Sequence, residues 1–479
     1  MMPPLAALLL DAFRDGRDPC VEDANRRLRA ADLSTHAAAL ADRLRAAGIR
    51  PDEPVLVRVD GAAADFASFL GVWLAGGVAV PIHARALDAT RRDIQERTGV
   101  RLTVDGAAGA LAVDGPAPPD RPLLRGAALI IFTSGSTGTP KGAVLGHERF
   151  AGKIHALQAM LGFSGQSVVL LPLQITFIFG IWVGLLAMAS GARLRMMPRF
   201  TPALARAALA DGATTAAFVP TMMRALFADA EGPGKAPALR QILTGGEPLG
   251  GGLGQRIATA WPTAGVFDLY GLTETGSCDF CLRPDQQAAG AGSIGHPTGG
   301  VEYRIAAPPD GMEADGMGEL LIRSPFGMLG YLDNPELTAA SFTDGCLRTG
   351  DLARQRPDGF VELVGRSKEV ISRGGNKIVP LEIDRLFAGH PDVAAALATG
   401  VPDPVLGERI HVLLVPRPGA VLDRDALLSW AAERMERYKL PDVIHIGGDL
   451  PLGRTGKADR NALRLSIVDD AATSAHKSA

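Results

Sequence analysis

The chain has 479 residues, 47% hydrophobic and 21% charged, which is too long for one ordinary core, so two or more domains of an ordinary globular composition are expected. Its 49 basic and 52 acidic residues leave a formal charge of −3, which provides no global field to recruit nucleic acid or an anionic membrane. Any anionic ligand must therefore be bound by local groups.

The longest apolar run, 175–190, is interrupted by Thr176, Gly180 and Gly184 and is too short for a membrane span. The N-terminal stretch MMPPLAALLLDAFRDGRD lacks the basic start of a signal peptide and reads as a short packing helix. A cytoplasmic protein is the expectation. Of the four cysteines, Cys278 and Cys281 form a C-x-x-C pair with no second Cys/His pair at metal spacing, which argues against zinc. Reduced thiols are expected, with a redox pair as the alternative.

Residues 33–48 put Ser34 or Thr35 at an N-cap and Gly48 just past the end, so a surface helix is predicted. A strand over 55–59, a helix over 62–75 and a strand over 78–82 follow, and this alternation predicts parallel α/β layers. After a Pro/Gly-rich stretch, the apolar run Ala128–Phe132 reads as a buried strand. Helices over 147–161, 177–189, 202–210 and 221–229 then alternate with strands over 168–172, 193–197, 214–219, 241–244 and 266–269. From 293 to 364 short strands and glycine turns suggest a β-rich subdomain. Beyond Gly365 come a polar hinge, a helix opened by Pro380, strands over 393–400 and 410–415, a helix over 423–437 and a strand over 443–446.

The predicted fold class is α/β: a large N-terminal domain of layered α/β sheets with a β-rich subdomain (1–364), a hinge (365–369), a small mobile α+β C-terminal domain (370–469) and a disordered tail (470–479).

The segment Thr133–Ala143, TSGSTGTPKGA, leaves the strand 128–132. Its glycines let backbone N–H groups approach an anion closely, and its hydroxyls supply more donors. Lys141 adds a charge able to follow phosphates as they move. Oligophosphate is the indicated ligand, with a flexible linker as the alternative. A Walker A loop is excluded, because Lys141 lies between Pro140 and Gly142 rather than in a Gly-Lys-Ser/Thr ending. In open α/β sheets ligands bind outside the carboxyl ends of strands. Two further loops follow predicted strands: Gly245-Gly246-Glu247-Pro248, flat enough for a purine ring, and Tyr270-Gly271-Leu272-Thr273-Glu274, whose tyrosine offers a stacking face. All three are expected to converge on one crevice.

Together these segments resemble the signature motifs of the adenylate-forming superfamily, which includes acyl-CoA synthetases, nonribosomal peptide adenylation domains and luciferases. The resemblance implies that Thr133, Ser134, Gly135, Ser136, Thr137, Gly138 and Lys141 handle the β- and γ-phosphates of ATP. In YGLTETG it implies that Thr273 binds the α-phosphate and Glu274 holds Mg²⁺, with Gly246, Glu247, Pro248, Tyr270 and Gly271 around the nucleotide. LRTGDLAR is similar to the motif whose aspartate binds the ribose, Asp351 here, and Arg366 corresponds to the second ribose contact. Lys368 falls at the hinge position, and PLGRTGK resembles the motif whose lysine, Lys457, bridges the acyl carboxylate and the nucleotide. Arg373, Gly374 and Gly375 lie where the family's thiol channel forms, and a plain basic glycine turn is the alternative.

The implied activity is that of a stand-alone acid–thiol ligase. A carboxylic acid is activated by ATP to an acyl-adenylate with loss of pyrophosphate, and coenzyme A then takes the acyl group. A carrier protein's phosphopantetheine arm is the alternative acceptor. Phe177, Ile178, Ile181, Gly245 and Gly271 correspond to the acid pocket, and Ile178 occupies the position where amino-acid-activating members carry an aspartate. A buried ammonium without its carboxylate costs several kcal/mol, so an apolar fatty or aromatic acid is expected. Core packing accounts for the same apolar residues equally well.

Overall fold

A computed structural model of the chain describes residues 2–133, 140–307, 316–452 and 458–477. The chain divides into two compact units, Met1–Glu302 with Ile322–Leu347, and Tyr303–Leu321 with Arg348–Ala479.

Among the described residues, the first unit holds a seven-stranded sheet and a nine-stranded sheet. The seven-stranded sheet is built on β1 (Pro54–Val59), β2 (Val78–His83), β3 (Ala127–Thr133) and β4 (Lys141–Gly146), with β1, β2 and β3 parallel and β4 antiparallel to β3. These strands read as nearly continuous apolar runs because both faces are covered; Val55, Val57, Ala79, Val80, Leu129 and Ile130 are all buried. The nine-stranded sheet is centred on four parallel strands: β5 (Val168–Leu171), β6 (Thr215–Phe218), β7 (Gln241–Gly245) and β8 (Gly265–Tyr270). A last short strand, β9 (Gly330–Tyr331), closes the edge of the seven-stranded sheet against β4.

Helices α1 (Asp65–Leu74), α2 (His147–Leu161) and α3 (Ile178–Ala189) contribute to one core shared by the two sheets. Helix α3 is apolar on every face, as expected of a helix enclosed by its surroundings. Its Gly184 lies so close to Phe66 of α1 that a Cβ there would collide with the phenyl ring. Helix α4 (Pro220–Ala228) belongs to a second core on the opposite face of the nine-stranded sheet.

The second unit contains β10 (Cys346–Gln355) paired with β11 (Val361–Arg366), although the first residues of β10 fall in the other unit. A four-strand path with one added strand then carries β12 (Ile371–Arg373), β13 (Asn376–Ile378), β14 (Val393–Asp403) and β15 (Gly407–Pro416). Helices α5 (Pro380–Ala388) and α6 (Arg460–Lys477) pack on β14.

Several expectations shift. The Gly-rich segment does not run from strand directly to helix: it returns as β4, which sequence reading missed because Gly142 and Gly146 bracket a short run. The helix expected over 33–48 begins at Ala30, where Asp32 accepts the Arg29 N–H at 2.9 Å and Thr35 bonds back to the Ala31 carbonyl instead of capping. The helix expected over 423–437 is Arg424–Ala432, with Asp423 as its N-cap. Part of the region assigned to the β-rich subdomain, Tyr303–Leu321 and Arg348 onward, groups with the second unit. The tail expected to be disordered, 470–479, is helical through Lys477, since its alanines favour continuation of a helix whose first turns are anchored by buried Leu463.

Gly184→Ala should overpack the α1–α3 contact and cost about 1–3 kcal/mol. A chemical-denaturation midpoint equal to that of the parent would contradict this packing.

Candidate active site

The parallel strands β5, β6, β7 and β8 run side by side in register, Thr244 beside Asp268 and Gly245 beside Leu269, so the loops leaving their carboxyl ends are neighbours. At the end of β7, a Cβ on Gly245 would collide with the Leu269 carbonyl, and Gly246 adopts φ +88°. Only glycine fits that sequence of close approach and left-handed turn. Gly246 and Pro248 are exposed, while Glu247 is engaged within the protein. One of its oxygens accepts the Thr221 N–H at 2.9 Å and the other pairs with Arg224, pinning the turn to the first turn of α4.

The loop after β8 is tighter still. Gly271 packs against the 277–279 backbone so closely that a Cβ would collide with the Cys278 nitrogen. Gly276, Ser277 and Cys278 have φ of +88°, +69° and +51° in succession. Two adjacent non-glycine residues in this region store strain that the surroundings must hold. They are held from beneath by Lys153 of α2, fully buried, whose Nζ donates to the Cys278 carbonyl at 3.0 Å and lies 4.9 Å from the centre of the Phe326 ring. Asp279, also buried, accepts from the Thr275 hydroxyl and from the Leu272 N–H at 3.4 Å. Burial pushes its carboxyl up to about 6, with nearby Lys153 and the Thr275 bond acting in the opposite sense. Burial also pushes the Cys278 thiol up to about 12, which leaves it a poor nucleophile at neutral pH. Cys278 and Cys281 are free, buried thiols. Above this base, Thr273 and Glu274 occupy a short 3-10 turn, Thr273–Thr275, with both side chains partly accessible. The Tyr270 ring meets Phe280 edge-on at 6.1 Å.

Glu274 reaches across to the other sheet. Its Oε1 accepts a 2.8 Å hydrogen bond from the Tyr331 hydroxyl on β9, and its main-chain carbonyl accepts the Met328 N–H at 2.8 Å. Tyr331 stands opposite Ala143 of β4, so Lys141, two residues away on the same strand face, is its diagonal neighbour. The Lys141 Nζ accordingly lies 5.4 Å from the centre of the Tyr331 ring. With Thr273 next to Glu274 in the same turn, the structure therefore brings Lys141 and Glu274 to one place through Tyr331. Sequence reading overlooked that residue because the dipeptide Gly330-Tyr331 looks like a turn. Thr133 pairs with Lys141 at the mouth of the hairpin, and the candidate phosphate residues Ser134, Gly135, Ser136, Thr137 and Gly138 lie outside the described residues.

The acid-pocket candidates separate. Phe177 is 38% exposed at the carboxyl edge of the nine-stranded sheet, whereas Ile178 and Ile181 are buried in the main core. Gly271 is exposed and Gly245 buried. A small cavity of about 20 Å³, room for one water, lies nearby, lined in part by Asp60, His83, Gln174 and Thr176.

In the second unit Asp351 and Arg366 are direct cross-strand partners on β10 and β11, with Arg366 Nε 2.9 Å from Asp351 Oδ1. Asp351 is only 4% exposed, and the Gly350 turn before it is fixed by Glu319, which accepts the Gly350 N–H at 3.2 Å. Lys368 is exposed in the 3-10 turn Ser367–Glu369. Next to it, Glu369 accepts from Arg460 Nε at 2.6 Å, and the same guanidinium pairs with Asp384 and donates to the Ala398 carbonyl. Arg373 is held bidentate by Asp442, at 3.0 and 2.6 Å, and Gly374 and Gly375, with φ of +56° and +85°, form the two-residue turn between β12 and β13. Arg373 thus anchors the turn that Gly374 and Gly375 make. Lys457 lies outside the described residues.

The first unit thus holds two sheets on one shared core, with Lys141 and Glu274 meeting at Tyr331 between them, and the second is a small α+β unit, an architecture of the α/β class. The sequence description of the AMP-binding enzyme family matches residues 11–332, and that of the AMP-binding enzyme C-terminal domain matches residues 382–457. The chain belongs to the AMP-binding enzyme family. It is 31% identical over 458 residues to a feruloyl-CoA synthase from Amycolatopsis sp, covering 91% of this chain and 93% of the relative. It is 28% identical over 491 residues to the fatty acid–[acyl-carrier-protein] ligase ScoC of Streptomyces coeruleorubidus, covering 95% and 94%. Its fold is similar to that of ATP-bound MatB from Rhodopseudomonas palustris, with a TM-score of 0.87 at 24% identity over 97% of this chain and 99% of that one. Among the described residues no helix is long and apolar enough to cross a membrane.

Lys153→Met should remove the clamp under the 270–279 loop and leave Asp279 buried without its counter-charge, costing about 3–5 kcal/mol at pH 7.5. Because the folded Asp279 carboxyl is raised above its ordinary 3.8 to about 6, the folded state binds that proton more tightly than the unfolded chain. Stability therefore grows as pH falls through this window. Loss of Lys153 raises the carboxyl further, so the deficit of the variant should shrink at pH 5.5. A gap between variant and parent that is equal at both pH values would contradict the pairing.

Proposed function

We propose that the chain is an AMP-forming acid–thiol ligase that activates an apolar, fatty or aromatic carboxylic acid with ATP and passes the acyl group to coenzyme A. The observation that carries this reading is the convergence of Lys141 and Glu274 on Tyr331 at the mouth of the Gly-rich hairpin, with the Thr273 hydroxyl in the same short turn as Glu274. A cation, a hydroxyl and a carboxylate gathered beside glycine-rich loops suit a triphosphate better than any neutral ligand.

In the first half-reaction a carboxylate oxygen of the acid attacks the α-phosphorus of ATP, the bond to the β-phosphate oxygen breaks, and pyrophosphate leaves. The protein's task is to hold two anions together and to match the charge that develops on the phosphoryl oxygens. Lys141 and the loop 134–138 are assigned to the β- and γ-phosphates, the Thr273 hydroxyl to the α-phosphate, and Lys457 to the oxygens joining acid and nucleotide. Asp351, backed by Arg366, accepts hydrogen bonds from the ribose hydroxyls. The exposed Gly246–Pro248 turn and Tyr270 flank the base. Glu274 fits Mg²⁺: it is a hard oxygen donor, fixed on Oε1 by Tyr331, and among the described residues its Oε2 accepts no hydrogen bond. Bound there, Mg²⁺ neutralises phosphate charge.

In the second half-reaction a thiol attacks the acyl carbonyl and AMP departs. A rearrangement at Lys368 that withdraws Lys457 and admits the thiol is assigned to this stage. Free coenzyme A is the preferred acceptor. The similarity along 95% of the chain to a ligase named for acyl carrier protein favours a second reading, in which the acceptor is a carrier's phosphopantetheine thiol. Phe177 at the strand-end edge favours an apolar acid, in keeping with relatives named for ferulate and for fatty acids.

Acid-dependent exchange of labelled pyrophosphate into ATP, run over a panel of carboxylic acids, is expected to reveal activity with apolar acids. No exchange with any of them would overturn the reading. Lys457→Ala should abolish exchange while sparing thiolysis of supplied acyl-adenylate, and survival of both steps would remove its assigned role. Asp351→Ala should raise the KM for ATP at least tenfold, by loss of hydrogen bonds to a charged acceptor; an unchanged KM would take it out of the ribose site.

A further inference from the structure

We infer that Tyr331 is a positioning residue for the metal–triphosphate complex: its hydroxyl fixes which oxygen of Glu274 faces the metal, and its ring seats Lys141 beside the phosphates. This deepens the reading of Glu274 and Lys141 given above and rests on it.

Four observations carry it. Tyr331 is 5% exposed, and its backbone is held on both sides, by its pairing with Ala143 and by its own N–H donating to the Thr338 hydroxyl at 2.9 Å. The neighbouring Leu332 N–H donates to the Gly142 carbonyl at 2.8 Å, so β4, which starts at Lys141, and β9 move as one ribbon. The hydroxyl reaches Glu274 Oε1 at 2.8 Å while Met328, three residues earlier, holds the Glu274 carbonyl, so one short segment grips both the side chain and the main chain of that residue. The ring of the same tyrosine lies under Lys141 Nζ at 5.4 Å, within reach of a cation–π attraction.

A carboxylate free to rotate offers a metal either oxygen in many geometries. One whose first oxygen is held by a buried donor has its rotation restricted and its second oxygen presented in a fixed direction, and residues that orient metal ligands in this way typically govern affinity by about 10–100-fold. The two functions of the Tyr331 side chain are separable, since Phe keeps the ring and loses the hydroxyl whereas Leu loses both.

The test is Mn²⁺ binding to the full-length protein, followed by electron paramagnetic resonance with saturating α,β-methylene-ATP, for the parent, Tyr331→Phe, Tyr331→Leu and Glu274→Gln. Tyr331→Phe should weaken Mn²⁺ binding about tenfold while leaving affinity for the metal-free analogue within about twofold. Tyr331→Leu should also lower that metal-free affinity, because Lys141 loses its seat. Parent-like Mn²⁺ affinity in Tyr331→Phe together with weak binding in Glu274→Gln would overturn the inference and leave the Glu274 reading intact. Parent-like affinity in Glu274→Gln would overturn both. If Tyr331→Phe does not fold, Thr338→Val serves instead, since it frees the Tyr331 backbone. Weakened Mn²⁺ binding there supports the inference, and unchanged binding contradicts it.

Discussion

The hydrogen bond between Tyr331 and Glu274 is the contact that ties the two sheets of the first unit together at the candidate site. Glu274 follows the last parallel strand of the nine-stranded sheet, and Tyr331 lies on the edge strand of the seven-stranded sheet. Joining them places the Gly-rich hairpin of one sheet beside the Thr273–Glu274 turn of the other. The cation belongs to one sheet and the carboxylate to a loop of the other, so neither sheet alone supplies both. The remainder of the unit supports this crossing. The shared core fixes the two sheets, and the all-apolar helix Ile178–Ala189 packs with Asp65–Leu74 so closely that glycine is needed at 184.

The loop that presents Glu274 is strained, and its strain is balanced locally. Consecutive positive φ values at Gly276, Ser277 and Cys278 turn the chain back under itself, and a buried lysine and a buried carboxylate fill the space beneath. Buried charges are costly and seldom stabilise on their own. Here Lys153 and Asp279 hydrogen-bond to the strained loop that presents Thr273 and Glu274. Glu247 and Arg224 do the same for the neighbouring turn: a residue that resembles a nucleotide contact in the sequence holds the loop to the helix Pro220–Ala228. The second unit shows a parallel economy, with Arg460 joining Glu369, beside Lys368, to Asp384 and to the strand Val393–Asp403.

Much of this was legible in the sequence, for reasons that are physical. Buried parallel strands announce themselves as apolar runs, and ligand loops in such sheets must lie at strand ends, so the places of GGEP and YGLTE followed from the order of elements. What escaped were contacts between distant segments. The strand Lys141–Gly146 is too short and too glycine-rich to carry a period, yet it exists because Ala127–Thr133 lies beside it. Tyr331 sits on a two-residue strand with no local signal, and only the pairing with Ala143 makes it part of the site. Ile178 and Ile181 illustrate the converse: their apolar character suited pocket and core equally, and burial places both in the core. The pairing of Arg373 with Asp442 was not legible either, because the two are 69 residues apart.

The central claim is that one metal–triphosphate site forms where the two sheets of the first unit meet. Crystals grown with Mn²⁺ and α,β-methylene-ATP and measured at the manganese absorption edge test it directly. The expected result is an anomalous peak within coordination distance of the Glu274 carboxylate, with Lys141 against the terminal phosphates. A well-ordered nucleotide whose manganese lies away from Glu274 would contradict the account.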